Sequence, residues 1–430
     1  MSEVCVHGLG YIGLPTAAMM ANYDHRVAGY DADPEVRSLL RDGDVHLEEP
    51  GLRAFVTQAL ESDDLTVVDE PQPADYHVVC VPTPFDEGSK RADLGYVRSV
   101  GEAIADTLRL HDTVVLESTV PPGTTDGLVG PILERSGLTV GEEFGLAHCP
   151  ETVLPGNVIA ELRENDRIVG GVDEYSSASA RRLYESFVEG RIRTVSDPTV
   201  AEFVKLIQNT FRDTNVALAN EIARLAADYG VDSRQAIGLA NGHPRVDILQ
   251  PGPGVGGHCL PVDPWFLGHA SDELDLVEAA RRVNDGMSGF VIDLLVDEFG
   301  SLAGRKIAIL GAAYKGNVGD TRSSPGLKLA RELQHADEKP APVTTDGGAV
   351  EPPVVAVHDP HVTDPTLDLT DLETATDDAD AVVITTDHDE FTRLSPASLR
   401  ERMSGSTVVD TKAILRPAAW RRSGFTVRRV

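Results

Sequence analysis

Residues 3–22 read EVCVHGLGYIGLPTAAMMAN: a short strand-like run, glycines at 8, 10 and 13, then an unbroken series of small and apolar residues. This is GxGxxG directly after a strand and opening a helix, and each glycine has its own task. Gly8 permits the tight turn, Gly10 lets a pyrophosphate approach the bare backbone, and Gly13 lets helix and strand pack closely. Residues 25–31, HRVAGYD, complete a βαβ unit. Asp31 closes the second strand at the distance where a carboxylate meets the ribose hydroxyls of an adenosine. A carboxylate there repels a 2′-phosphate, so the expected cofactor is NAD rather than NADP, with Tyr11 and Ile12 in the same turn as further contacts. Purely structural glycines, or another nucleotide ligand, are the competing readings.

Outward from this unit, YHVVCVP (76–82) and DTVVLEST (112–119) are further apolar strands, alternating with helical sequence such as 96–108. A doubly wound parallel sheet requires that alternation. From 199 to 229 the pattern becomes one long helix, with Phe203, Val204, Ile207, Phe211, Leu218, Ile222 and Leu225 near a 3.6 period and Gly230 as the stop. At 1.5 Å per residue it spans roughly 45 Å, enough to join two domains and offer a dimerisation surface. Helices are expected over 233–240 and 274–298. The βα pattern restarts at RKIAILGAAYKGN (305–317) and continues through VVAVHDP (354–360) and DAVVITT (380–386), with an exposed loop over 335–353. The expected architecture is α/β: two Rossmann-like doubly wound domains (1–198 and 301–430) joined by the long central helix and a helical middle domain (199–300).

Composition bounds the function. With 69 acidic against 38 basic residues in 430, the formal net charge is −31, which disfavours nucleic acid and anionic membranes as partners. Only seven of the 38 basic residues are lysine. An acidic, lysine-poor chain suggests adaptation to high intracellular salt, with compositional drift as the alternative. No run of about 18 apolar residues and no leader-like start occurs, so a soluble cytoplasmic protein is expected. Cys5, Cys80, Cys149 and Cys259 show no metal-site or disulfide spacing, so no metal is expected; Cys5 and Cys80 sit in apolar runs and read as core.

Several polar residues stand out. Lys205, Asn209, Arg212 and Asp213 fall near one face of the long helix, where a solvated stripe is the plain alternative. Thr119 ends a strand before a Pro-Pro-Gly turn, Thr83 follows the strand at 76–82, and Glu151 lies in CPETVLPGN (149–157), all loops of the kind that bind ligands in doubly wound sheets. In KGNVGDTRSSP (315–325), Lys315 and Arg322 could hold phosphate oxygens, Arg322 bidentately, with Asp320 between them. Cys259 lies in GPGVGGHCLPVDPWF (252–266), beside His258 and four residues before Asp263. By itself it reads equally as a structural thiol or as a nucleophile on an open, glycine-rich backbone. A nicotinamide fold, a lysine, a carboxylate and an accessible thiol together describe oxidation through a thiohemiacetal and a thioester.

Along essentially its whole length, the chain resembles the UDP-glucose/GDP-mannose dehydrogenase family. The segments that carry the resemblance are KLIQNTFRDTNVALANE, NGHPRVDILQPGPGVGGHCLPVDPWF and CPETVLPGNVIAELRENDRIVGG. They resemble the branch acting on UDP-N-acetyl-D-mannosamine more than the UDP-glucose branch. The resemblance implies a four-electron oxidation of the sugar's C6 alcohol to a carboxylate with two NAD molecules, Cys259 being the nucleophile. Lys205 and Asn209 would stabilise oxyanion charge, Asp263 and Thr119 would order water, and Glu151 would assist thioester hydrolysis. A UDP-sugar substrate is implied, with Glu151, Lys205, Asn209, Arg212, His258, Lys315 and Arg322 as candidate contacts. Arg245 would reach the substrate across a homodimer interface. Pro155, Thr152, Gly316 and Gly319 depart from the family's usual residues and weaken the choice of sugar. UDP-glucose or UDP-N-acetylglucosamine as substrate, and a non-catalytic nucleotide-sugar sensor, are the alternatives.

Overall fold

A computed structural model describes residues 1–47, 49–335 and 352–430. The loop expected over 335–353 therefore lies almost wholly outside the described residues. The chain forms two compact units, Met1–Gln208 with Trp265–Glu273, and Asn209–Pro264 with Leu274–Val430.

In the first unit the strands in chain order are β1 (Glu3–His7), β2 (Arg26–Tyr30), β3 (Leu65–Val68), β4 (Tyr76–Val79), β5 (Phe85–Asp86), β6 (Arg91–Ala92), β7 (Thr113–Leu116), β8 (Gly145–His148), β9 (Arg167–Gly171) and β10 (Ile192–Val195). Strands β5 and β6 form a small hairpin, and the others form one sheet in the order β10-β9-β8-β7-β4-β1-β2-β3. From β3 to β8 every pairing is parallel, which is the dinucleotide-binding order with its switch point between β1 and β4. Strand β9 then pairs antiparallel with β8, a reversal that the apolar pattern of the strands does not encode. The helix Gly13–Asn22 is buried from Gly13 to Ala21, because small and apolar residues on all sides let it pack between the sheet and its neighbours.

The second unit carries β11 (Lys306–Leu310), β12 (Val354–His358), β13 (Ala381–Ile384), β14 (Thr407–Asp410) and β15 (Thr426–Arg429). They form a parallel sheet in the order β12-β11-β13-β14-β15, whose switch point lies between β11 and β13. Both parallel α/β folds expected from the sequence are thus present, with helices between them in the chain. The helix expected over 274–298 is two, Asp275–Asp285 and Met287–Phe299, which meet at Gly286, where ψ shifts to −4°. Among the described residues, no helix is long and apolar enough to cross a membrane.

The long helix runs Pro198–Tyr229, 32 residues. Its apolar period does not mark a buried face. Phe203, Ile207, Phe211, Leu218 and Leu225 are between 43% and 59% exposed, while the buried positions, Leu206 apart, are small or polar, among them Ala201, Glu202, Asn209, Asp213, Ala217, Asn220 and Ala223.

Candidate active site

At the end of β1 the glycines divide their work as the sequence suggests. Gly8 has φ +89°, and a Cβ there would lie 2.7 Å from the Cys80 carbonyl oxygen. At Gly13 a Cβ would come within 1.8 Å of the Gly8 carbonyl oxygen, so only hydrogen fits. At Gly10 a Cβ would meet nothing within 4 Å, which leaves bare backbone open to a ligand at the start of the helix. Asp31 holds this loop in shape: its Oδ2 accepts from the Leu9 N–H at 2.7 Å and its Oδ1 from the Asp33 N–H at 2.9 Å. Each oxygen keeps a lone pair for a ribose hydroxyl. The Thr83 hydroxyl donates to the Thr119 carbonyl at 2.7 Å, tying together the loops after β4 and β7. Tyr11 hydrogen-bonds Glu49, which also accepts from the Gly156 N–H. These residues fit NAD.

Lys205 and Thr119 are organised within the same unit. Three residues before Lys205 on the long helix, buried Glu202 accepts from the N–H groups of Gly123 (2.5 Å) and Thr125 (2.7 Å) and from the Thr125 hydroxyl (2.6 Å). That fixes the Pro-Pro-Gly turn beyond Thr119 to the helix that carries Lys205. At the end of β8, burial first and then the Lys205 charge push His148 down to about 3, so its imidazole is neutral. Glu151 is 7% exposed, its Oε1 accepting from the N–H groups of Thr152 and Val153 and its Oε2 lying 2.8 Å from Arg167 Nη2.

The second unit holds the cysteine loop. Cys259 is half-buried, and its Sγ lies 3.6 Å from the nearer ring nitrogen of His258. Its carbonyl accepts from the Asp263 N–H at 2.8 Å, which turns the chain into the helix Asp263–Leu267. Asn209 Nδ2 donates to Asp263 Oδ2 at 2.5 Å, and both side chains are buried. The structure thus brings together Cys259, His258, Asp263 and Asn209. The other cysteines differ: burial raises Cys5 to about 11 and Cys149 to about 12, and burial followed by the adjacent Glu117 carboxylate holds the Cys80 thiol well above its usual range. Cys80 is not the simple core residue expected; its thiol lies 3.1 Å from Glu117 Oε2.

The glycines before Cys259 are pressed against the loop after β11. A Cβ at Gly256 would lie 2.6 Å from Tyr314 Cβ, Gly257 has φ +85° with the Tyr314 ring beside it, and the Gly257 N–H donates to the Arg322 carbonyl at 2.8 Å. Lys315, half-buried, belongs to this loop. Arg322 is not free to grip phosphate through the Nε–Nη2 edge, as its bidentate role required: that edge holds Asp320, at 3.0 Å from Nε and 2.5 Å from Nη2. Asp320 is raised by burial but lowered more by Arg322 and His258, so the pair is charged. Asp213 turns inward and pairs with buried Arg281 at 2.6 Å, whereas Arg212 is exposed, so the four polar residues of the long helix do not share a face. Arg245 is exposed.

A residue that sequence reasoning missed is Asp359, at the end of β12 as Asp31 is at the end of β2. It accepts from the Ala312 and Ala313 N–H groups (2.7 and 2.8 Å) and faces His388 Nε2 at 3.0 Å. The second sheet also repeats the glycine packing, since a Cβ at Gly326 would lie 2.0 Å from the Gly311 carbonyl oxygen. Its acidic residue, however, is spent on holding the loop. The His361, His388 and Glu390 side chains lie close enough to share a cation, but His388 already meets Asp359 at Nε2 and accepts from the Asn317 N–H at Nδ1.

A dinucleotide fold, a partly exposed thiol on the loop that leads into the Asn209–Asp263 pair, and a second nucleotide-type sheet define an NAD-dependent dehydrogenase of nucleotide sugars. Comparison with known proteins places the chain in that class. It matches the UDP-glucose/GDP-mannose dehydrogenase family in its NAD binding domain (residues 2–188), central domain (199–286) and UDP binding domain (308–417). It is 41% identical to a UDP-N-acetyl-D-mannosamine dehydrogenase of Methanococcus maripaludis, covering all of this chain and 96% of that one. It is 40% identical to an NDP-N-acetyl-D-galactosaminuronic acid dehydrogenase of Ralstonia solanacearum, with 96% of each covered. The solved UDP-N-acetyl-D-mannosamine dehydrogenase of Pyrococcus horikoshii superposes with a TM-score of 0.90 at 39% identity, over 100% of this chain and 99% of that one. The chain belongs to the UDP-glucose/GDP-mannose dehydrogenase family and is an NAD-dependent UDP-sugar dehydrogenase.

Proposed function

We propose that the protein oxidises UDP-N-acetyl-D-mannosamine at C6 to UDP-N-acetyl-D-mannosaminuronate. The observation that carries this reading is full-length identity near 40% to relatives named for that sugar, joined to a cysteine loop whose thiol is partly open. Bound NAD supplies the hydride acceptor for each oxidation. On this reading the Cys259 thiolate adds to the C6 aldehyde, the thiohemiacetal is oxidised to a thioester, and water releases the carboxylate. Lys205 and Asn209 steady the oxyanion, and Lys205 also takes a proton. Asp263 and Thr119 order water, and Glu151 assists hydrolysis. Arg212, Arg245, His258, Lys315 and Arg322 contact the UDP-sugar, the last through what its Asp320 pair leaves available. Three functional domains, 1–198, 199–300 and 301–430, accompany this division of labour.

The test is a panel of UDP-sugars with NADH and products counted. UDP-N-acetyl-D-mannosamine is expected to yield about two NADH per sugar in molar KCl, as a two-step oxidation requires. One NADH per sugar, or a clear preference for UDP-glucose, would sink the proposal. The Ralstonia relative supports a second reading, an N-acetylated sugar of galacto configuration, which the same panel separates. The acidic excess supports a salt requirement, and on this reading the enzyme works in the cytoplasm and supplies a cell-surface glycan. Activity that is unchanged at about 0.1 M salt, where the Debye length is about 10 Å, would count against salt adaptation.

The exposed apolar stripe of the long helix supports a homodimer, because an apolar face of this extent marks an association surface. Phe211→Glu with Leu218→Glu is expected to halve the mass seen by light scattering. An unchanged mass would remove the stripe from the interface.

A further inference from the structure

We propose that Arg167 is a positioning residue that fixes the Glu151 carboxylate for hydrolysis of the acyl intermediate, a reading that rests on the thioester chemistry proposed above. The backbone sets up the pairing. Strand β9 is antiparallel to β8, with Ala147 opposite Gly171 and His148 opposite Gly170. Extending that register past the end of β8 puts Glu151 opposite Arg167, the first residue of β9. A parallel β9 would have carried Arg167 to the other edge of the sheet.

The side chains complete the arrangement. The Arg167 side chain is 3% exposed, with Nη2 at 2.8 Å from Glu151 Oε2 and Nη1 at 4.0 Å from Glu117 Oε1. Its guanidinium lies over the rings of Tyr184 (5.1 Å) and Phe187 (5.9 Å). Glu117 is anchored in turn: its Oε1 accepts from the Tyr184 hydroxyl at 2.6 Å and its Oε2 lies 3.1 Å from Cys80 Sγ. Glu151 is thus gripped at both oxygens, by its own backbone at Oε1 and by Arg167 at Oε2. Burying a guanidinium and two carboxylates is expensive, and such clusters are weak devices for stability alone. Holding one carboxylate in one orientation is a use that repays such a cost.

In the step concerned, the water oxygen bonds to the acyl carbon while Glu151 receives the water's proton. The C–S bond breaks, Cys259 leaves as thiolate, and the new carboxylic acid loses its proton to solvent. No oxidant or reductant is consumed. If Arg167 acts here, Arg167→Lys keeps the charge but loses the planar guanidinium that reaches Glu151 while lying over Tyr184 and Phe187. The variant is expected to give a rapid burst of NADH followed by steady turnover at least about tenfold slower, a part of what a general base contributes. Acid-quenched protein should carry an acyl adduct on Cys259 by intact mass, while KM for the UDP-sugar stays within about threefold. The double variant Arg167→Lys/Glu151→Gln should be no slower than Glu151→Gln alone, because one residue acts through the other.

Should Arg167→Lys fail to fold, Arg167→Gln/Glu117→Gln keeps the net charge of the cluster and should show the same burst and adduct. A structural role would instead lower both oxidations together, add to the Glu151→Gln effect and leave no adduct, and that outcome overturns the proposal. Wild-type protein giving one NADH per sugar overturns the thioester reading and this proposal with it. Two NADH per sugar together with unaltered turnover in the Arg167 variants overturns the role of Arg167 alone.

Discussion

Cys259→Ser is expected to abolish uronate formation while leaving the first oxidation measurable. Only a thiol that can become a thiolate can serve as the nucleophile. Cys5 and Cys149 sit near 11 and 12 because burial disfavours their charged forms, and Cys80 faces a buried carboxylate. Cys259 is half-buried on a glycine-rich loop with an imidazole within 4 Å, so it can meet a substrate. Serine keeps the size of the side chain, but its hydroxyl is far less acidic than a thiol and a weaker nucleophile. Uronate production should fall by about 10³-fold or more, in line with losses seen when a covalent nucleophile is removed. NADH should fall to at most one per sugar, and an aldehyde trap such as methoxylamine should capture the C6 aldehyde. Substrate-protected alkylation of the wild type should mark Cys259 before the other three. Uronate formed by the serine variant at the wild-type rate would end the covalent reading.

What could be read from the chain depended on how local the governing interaction is. Gly8, Gly10, Gly13 and Asp31 were legible because each acts within one βαβ unit, where spacing along the chain fixes spacing in the fold. The same holds for the Cys259 loop, whose glycines and Asp263 lie within a few residues of the thiol. Partners distant in sequence were not legible. Arg167 opposes Glu151 only because β9 reverses, and an apolar strand looks alike in either direction. Arg322 reads as a phosphate clamp until the turn that folds it back on Asp320 is seen. The period of the long helix identified the helix but not its buried side: apart from Leu206, mainly alanines and polar residues are buried, while Phe203, Ile207, Phe211, Leu218 and Leu225 are exposed. An apolar face waiting for a second chain and one packed on its own core have the same periodicity. Gly286 ended one helix and began another within a window whose apolar content suggested a single one.

Substitutions at Gly10 and Gly13 are expected to separate two kinds of damage to NAD binding. At Gly13 a methyl group would sit 1.8 Å from the Gly8 carbonyl oxygen and 3.0 Å from Cys80 Cβ, so the helix start must move away from β1. Overpacking of this kind costs about 1–3 kcal/mol. In a domain of this size that lowers Tm by roughly 2–4 °C per kcal/mol. Gly13→Ala should therefore lose stability and NAD affinity together. Gly10→Ala tests the opposite case, since its methyl group would meet no protein atom within 4 Å. The variant should keep the wild-type Tm, yet its methyl would occupy the space through which a pyrophosphate reaches the backbone N–H groups. NAD affinity should drop at least about tenfold, or 1.4 kcal/mol. Calorimetric titration with NAD beside thermal melts of the apo proteins reads both quantities. Normal NAD binding by Gly10→Ala would mean that the diphosphate does not lie against this turn. A stable Gly13→Ala that binds NAD poorly would mean that the glycine serves the ligand directly and not the packing of helix on strand.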